Sequence, residues 1–168
     1  MRAIVTGAIV TGAGSLVAGG ETFRAALGWG GIHANKREGD GATPAAVLPL
    51  RAVLYRADRE AAPACAVPVR ALDRFDGWCD DPGDRAYNCM VRLPYQASAE
   101  TLWREDAVYD IIGVLGWNDA PVQPDLGSAI FLHLARPDFS PTEGCIALDP
   151  ADLRKVLAMG LTEIAVTV

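Results

Sequence analysis

The chain has 168 residues, 51% of them hydrophobic and 21% charged, with a formal net charge of -6. That length holds one domain with a sizeable core, residues 1–168, and the acidic balance excludes nucleic acid and anionic membrane surfaces as main partners. With four cysteines, no CxxC pair and two histidines, the chain requires neither a disulfide framework nor a zinc site, and no metal or cofactor is expected.

Gly 17 and Pro 11 favour many turns and short strands over a helical bundle. The N-terminal twenty residues have the outline of an export signal, one arginine ahead of a small apolar stretch. Thr6, Gly7, Thr11 and Gly12 interrupt that stretch, below the roughly 7–15 apolar residues of a signal core. The reading is two strand segments, Ala3–Thr6 and Ala8–Thr11. The same reading keeps the chain in the cytoplasm with reduced thiols; a signal would make it periplasmic. No run approaches the ~20 apolar residues of a membrane span.

Ser15–Ala18 and Thr22–Leu27 flank Gly19-Gly20, a hairpin signal. Ile32–Pro44 is polar and glycine-punctuated, a loop. Ala45–Tyr55 and Val67–Leu72 read as strands, joined by a connection over Arg56–Pro68. Asp73–Asn88 is dense in turn formers, and its aspartates Asp80, Asp81 and Asp84 are read as turn chemistry, since an EF-hand needs twelve residues and a terminal glutamate. Met90–Leu93 is a strand, Ala97–Trp103 a short helix capped near Ser98, and Tyr109–Trp117 a buried strand. Asp149 caps a second helix with Pro150 at its first position and Leu153, Val156 and Leu157 on one face. Gly160 ends it before a terminal strand at Ile164–Val168. The sum is a mainly β (α+β) domain, a sandwich or partly closed barrel with two short helices.

The chemistry concentrates in Gly127–Leu148, GSAIFLHLARPDFSPTEGCIAL. Ser128–Leu134 is an apolar strand with His133 near its end; prolines break the following loop, and Gly144–Leu148 resumes an apolar run. A hairpin-like return places Cys145 beside His133. Such a pair can form a thiolate–imidazolium couple, because His⁺ lowers a neighbouring thiol's pKa. Gly144 permits a tight turn, and backbone N–H groups there can face an oxyanion.

These residues resemble the YkuD-type L,D-transpeptidase catalytic domain. His133 followed by Thr142-Glu143-Gly144-Cys145-Ile146 is similar to its active-site motif. The loop Lys36–Pro44 with its Thr-Pro pair is similar to its entry to the central strands. GWCDDPGDRAYN and LPYQASAETLWRED resemble short, single-domain members. Glu143 stands where the common motif has a second histidine, and Ala147 where it has Arg or Asn.

The resemblance implies a YkuD-like fold. It implies Cys145 as nucleophile, His133 as base and later acid, and the Gly144 and Cys145 N–H groups as oxyanion donors. The implied substrate is a peptidoglycan stem peptide, cut after its diamino acid to expel terminal D-alanine. For a cytoplasmic enzyme that means an L,D-carboxypeptidase acting on soluble muropeptides in peptidoglycan recycling. The alternatives are an exported L,D-transpeptidase that forms cross-links and an inactive peptide-binding module. Candidate substrate-binding residues are Arg136, Lys36, Glu143, Tyr87 and Asn88, with Arg the better bidentate carboxylate partner.

Overall fold

The structure is a computed structural model that describes residues 1–7 and 12–167. The expected strand segment Ala8–Thr11 lies outside the described residues. Fourteen strands are described: β1 Arg2–Gly7, β2 Ala13–Ala18, β3 Glu21–Ala26, β4 Ile32–His33, β5 Thr43–Pro44, β6 Val47–Tyr55 and β7 Val69–Ala71, followed by β8 Asp76–Cys79, β9 Met90–Arg92, β10 Ala99–Thr101, β11 Ile111–Leu115, β12 Phe131–Leu134, β13 Ile146–Leu148 and β14 Glu163–Thr167. A 3-10 turn spans Ala107–Tyr109 and one helix, α1, spans Pro150–Ala158.

Strict alternation drives the main sheet. Ala3 and Val5 of β1, Leu16 and Ala18 of β2, and Ile164 and Val166 of β14 are buried every second residue, so each strand offers one apolar face. Eight strands close that face into a barrel, in the order β11-β12-β13-β3-β2-β1-β14-β6, with β6 pairing back onto β11. Closure removes the sheet's edges. Beyond the last residue of β6 that pairs with β14, β7 takes up the same edge in parallel, Val53 opposite Val69. A bulge adjusts β6: Ala52 pairs with Val114 but Leu50 with Leu115, passing over Arg51. Leu48 and Leu50 therefore face the barrel core before the bulge and Val53 after it, while Leu54 faces outward into a second cluster.

That second cluster is the layer that carries the site. Residues 56–110 leave the barrel, touch its edge again through β7 and continue as the sheet β10-β8-β9 and the 3-10 turn. They cover the outer face of β6, β11 and β12, burying Leu54, Leu72, Leu102, Tyr109, Ile112, Phe131 and Cys145 together. Trp78 and Tyr109 meet Phe131 edge-on, with centroids 5.1 and 5.9 Å apart.

Three expectations change. The helix read over Ala97–Trp103 is strand β10, with Ala99 opposite Cys79 and Thr101 opposite Gly77. Its partner β8 sits inside the turn-rich Asp73–Asn88 segment. A seven-residue helix has little stability of its own, and cross-strand pairing with burial of Leu102 overrides it. The domain consequently has one α-helix and a lone 3-10 turn among the described residues, not two helices. Second, the barrel is closed. Third, β12 and β13 are parallel, not a hairpin: Leu132 pairs with Ile146 and His133 with Ala147. The connection runs back along the end of β3, where Thr142 exchanges backbone hydrogen bonds with Leu27 and Trp29 (2.8 and 2.9 Å), before β13 starts in the direction of β12. The N-terminal cap of α1 is as read, with Asp149 accepting from the Ala151 N–H at 2.9 Å.

Candidate active site

Parallel pairing decides how Cys145 meets His133. Leu132, Leu134, Ile146 and Leu148 point into the barrel core, so the intervening residues Phe131, His133, Cys145 and Ala147 share the outward face. Cys145 lies just before β13, level with Phe131, and its Sγ accepts the Phe131 N–H at 3.3 Å. The thiol in turn donates to the Ala129 carbonyl at 3.2 Å. His133 sits further along the same face.

The turn ahead of Cys145 is tightly held. Thr142 Oγ1 donates to the Cys145 carbonyl (2.7 Å) and accepts the Gly144 N–H (3.2 Å). Gly144 has φ +130, and a Cβ there would lie 2.8 Å from the Ala42 carbonyl oxygen, so only glycine fits. The Gly144 N–H, expected as an oxyanion donor, is thus already committed to Thr142.

His133 Nδ1 lies 3.0 Å from the Leu134 carbonyl. A carbonyl can only accept, so Nδ1 carries the proton and Nε2 is the basic nitrogen. Tyr109 stacks edge-on against the ring at 5.3 Å. Burial lowers the imidazole pKa to about 4, helped by Arg104 and Arg136 and opposed by the Leu134 carbonyl. Burial raises the Cys145 thiol to about 12, and the Glu100 carboxylate adds to it; the Phe131 N–H and Lys36 pull the other way. Glu143 also opposes thiolate formation, less than Glu100 does. The ligand-free pair is therefore a neutral thiol and a neutral imidazole. Desolvation penalises both charged forms and so works against a thiolate–imidazolium couple before substrate binds. Neither side chain hydrogen-bonds the other.

A cavity of about 510 Å³ opens over this face. Its wall includes Cys145, His133, Lys36, Arg136 and Glu143, all anticipated from sequence. Lys36 is only 4% exposed, its ammonium held by Asp40 (2.5 Å) and the Arg37 carbonyl (2.8 Å). Arg136 is exposed and touches Asp106 only at 3.5 Å. Glu143 accepts the Trp29 indole N–H at 2.7 Å.

Tyr87 and Asn88, expected to bind substrate, lie outside the cavity wall and serve the scaffold. Tyr87 donates its hydroxyl to Glu38 and accepts the Gly127 N–H. Asn88 uses its whole amide: Nδ2 donates to the Trp117 and Asn118 carbonyls, and Oδ1 accepts from Trp78 Nε1 and the Ala129 N–H. It thereby places Ala129, whose carbonyl holds the thiol.

Sequence reading missed Asp80, Glu100, Arg104 and Tyr109, which also form the wall. They come from the covering layer; Asp80, Glu100 and Arg104 lie inside the two stretches that resemble short family members, but nothing in those stretches marks them as wall residues. Arg104 grips Asp106 through two contacts of 2.7 Å.

The family model YkuD, L,D-transpeptidase catalytic domain, matches residues 4–166. No curated protein and no solved structure matches the chain.

Proposed function

We propose, because the chain belongs to the YkuD family of L,D-transpeptidase catalytic domains, that it is an L,D-carboxypeptidase releasing terminal D-alanine from peptidoglycan tetrapeptides. Membership brings L,D-transpeptidase-type cysteine catalysis on peptidoglycan peptides; hydrolysis as the outcome is our reading. The observation that carries it is Cys145 and His133 on one outward face beneath a single cavity of about 510 Å³. That space suits the end of one donor peptide, and expelling D-alanine makes room for water.

The steps follow from the neutral pair. Cys145 Sγ attacks the carbonyl of the diamino acid while His133 Nε2 takes the thiol proton. No ion pair need exist beforehand. The Leu134 carbonyl steadies the imidazolium formed at that moment. The Cys145 N–H faces the developing oxyanion, since Thr142 holds that of Gly144. The C–N bond breaks, the amine of D-alanine leaves with the proton from His133, and a thioester remains. His133 then deprotonates water, which releases the tripeptide and restores the thiol. Arg136, exposed and only loosely paired with Asp106, takes the terminal carboxylate.

All four cysteines are free, Cys89 exposed among them. Free exposed thiols support a reducing cytoplasm, and with it soluble muropeptides of recycling as substrate. A second reading, transfer to the amine of another stem peptide to form a cross-link, is favoured by the carboxylates Glu38, Asp80, Glu100 and Glu143 in the wall. These suit an incoming ammonium. The test is incubation with a soluble tetrapeptide, with and without an amine acceptor. D-alanine release above that of Cys145→Ala is expected. Dimeric product would move the assignment to transpeptidase, and binding without turnover would leave a peptide-binding module.

A further inference from the structure

The three cations of the cavity wall, Lys36, Arg104 and Arg136, divide between its two reacting groups. Arg104 and Arg136 act on His133, and both are tied to Asp106. Lys36 acts on Cys145. It is also the one of the three that is buried. A buried charge needs a partner, and the loop around Lys36 supplies it. Asp40 Oδ1 accepts from Lys36 Nζ (2.5 Å) and from the Ala42 N–H (2.8 Å), while its Oδ2 accepts the Arg37 N–H (2.6 Å).

This ion pair is braced against both segments that hold the thiol. The stem of Lys36 lies on Gly127, where a Cβ would come within 3.1 Å of its Cγ and Cε. Gly127 leads into Ala129, whose carbonyl accepts the thiol. The Ala42 carbonyl abuts Gly144, at 2.8 Å from where a Cβ would stand. Lys36 belongs to the cavity wall and Asp40 does not, so the pair turns its positive end to the cavity. An ammonium has three donors. Two go to Asp40 and the Arg37 carbonyl (2.8 Å); the third has no protein partner among the described residues. The chemistry calls for a donor here. Attack by Cys145 turns the substrate carbonyl into an oxyanion, and the Gly144 N–H is already taken by Thr142.

We propose that Lys36 is a fixed cation of the reaction, whose third N–H stabilises the negative charge that grows on the substrate's carbonyl oxygen as Cys145 attacks. The inference rests on the cysteine chemistry proposed above and gives Lys36 a role in the transition state rather than in holding a substrate carboxylate. Lys36 keeps its proton throughout. The thiol proton goes to His133, the S–C bond forms, and the oxyanion accepts from Lys36 and from the Cys145 N–H. Its collapse breaks the C–N bond and expels the amine. A donor held in place beforehand needs no reorganisation when charge develops, and one that acts only then raises kcat without tightening ground-state binding.

The test compares alkylation of Cys145 in the full chain by iodoacetate and by iodoacetamide, read by peptide mapping. The salt is about 0.15 M, where exposed charges beyond about 8 Å are largely screened. The ratio of the two rates cancels thiol exposure and ionisation, leaving the preference for an anion beside the sulfur. Lys36→Met should lower that ratio at least about threefold, and Asp40→Asn, which removes the counter-charge, should raise it. Lost packing would not move the two variants in opposite directions. With tetrapeptide, Lys36→Met should lower kcat about 10²-fold and leave KM within about threefold of wild type. Ratios unchanged in both variants, or a raised KM at unchanged kcat, overturn the proposal. Asp40→Asn carries the test where Lys36→Met does not fold. A wild type that releases no D-alanine removes the carboxypeptidase, and the alkylation ratios still decide whether Lys36 acts at the sulfur.

Discussion

Along β12 the residues Leu132 and Leu134 point into the barrel, and Phe131 and His133 point out of it. All four are buried, but their surroundings differ. The inward pair joins the apolar core of the barrel. The outward pair lies under residues 56–110, among Tyr109, Glu100, Arg104 and the Cys145 thiol. Elsewhere the same outward face meets solvent: Ile4, Val17 and Val47 are 45%, 36% and 48% exposed. Burial inside the barrel mainly stabilises the fold. Burial outside it shifts protonation, since the groups trapped there are titratable.

Removal of the reacting groups should have the largest effect. Cys145→Ala should abolish D-alanine release, a loss of at least about 10³-fold, and His133→Gln about 10²–10⁴-fold. Melting temperatures should stay near wild type, so that activity and stability part company on the outer face. Truncations on the two faces should then separate. Leu132→Ala should cost about 2–5 kcal/mol of stability, read by urea unfolding, with kcat/KM of the folded fraction retained. Phe131→Ala should cost about 3–5 kcal/mol and also lower kcat/KM, because the ring supports Trp78 and Tyr109 over the site. If both variants kept full activity, the distinction between the faces would fail.

The pH dependence of stability tests the outer face by itself. The His133 pKa falls from 6.5 unfolded to about 4 folded. As pH drops, the unfolded chain takes up that proton first, so stability declines between those values and levels off below, by about 3 kcal/mol at most. The Cys145 thiol rises from 9.0 to about 12. Above pH 9 the unfolded chain loses its proton first, so stability declines again. A plateau is expected between about 6.5 and 9. His133→Gln should flatten the acid limb and Cys145→Ala the alkaline limb in chemical unfolding curves. Asn88→Ala should cost about 2 kcal/mol and slow turnover through Ala129, since it strands buried hydrogen-bonding groups. Smallest of all, Asp149→Ala should cost about 1 kcal/mol through the lost cap, with turnover unchanged.

How much of this was legible follows the same division. The hairpin β2–β3, strands β6, β11 and β14 and the helix α1 are readable from alternation, apolar runs and capping residues. The pair Cys145 and His133 is readable from the residues and the family resemblance. Strands β8 and β10 are not, because Asp76–Cys79 and Ala99–Thr101 are too short to outvote neighbouring turn and cap signals. Tyr87 and Asn88 attract attention as polar residues among turn formers, yet their side chains are consumed by the scaffold. Nothing local distinguishes Asp80 from Asp81 and Asp84.

The sequence by itself determined a mainly β fold and the inward stripe of its barrel, and it singled out Cys145 and His133 as candidate nucleophile and base. Periodicity, glycine and the residue types carry that information within a few neighbouring positions. Only the tertiary structure decided that β12 and β13 run parallel, that residues 56–110 roof the pair, and that the resting thiol and imidazole are both neutral. Those outcomes depend on desolvation and long-range charge, set by segments far apart in the chain and expressed only once they pack together.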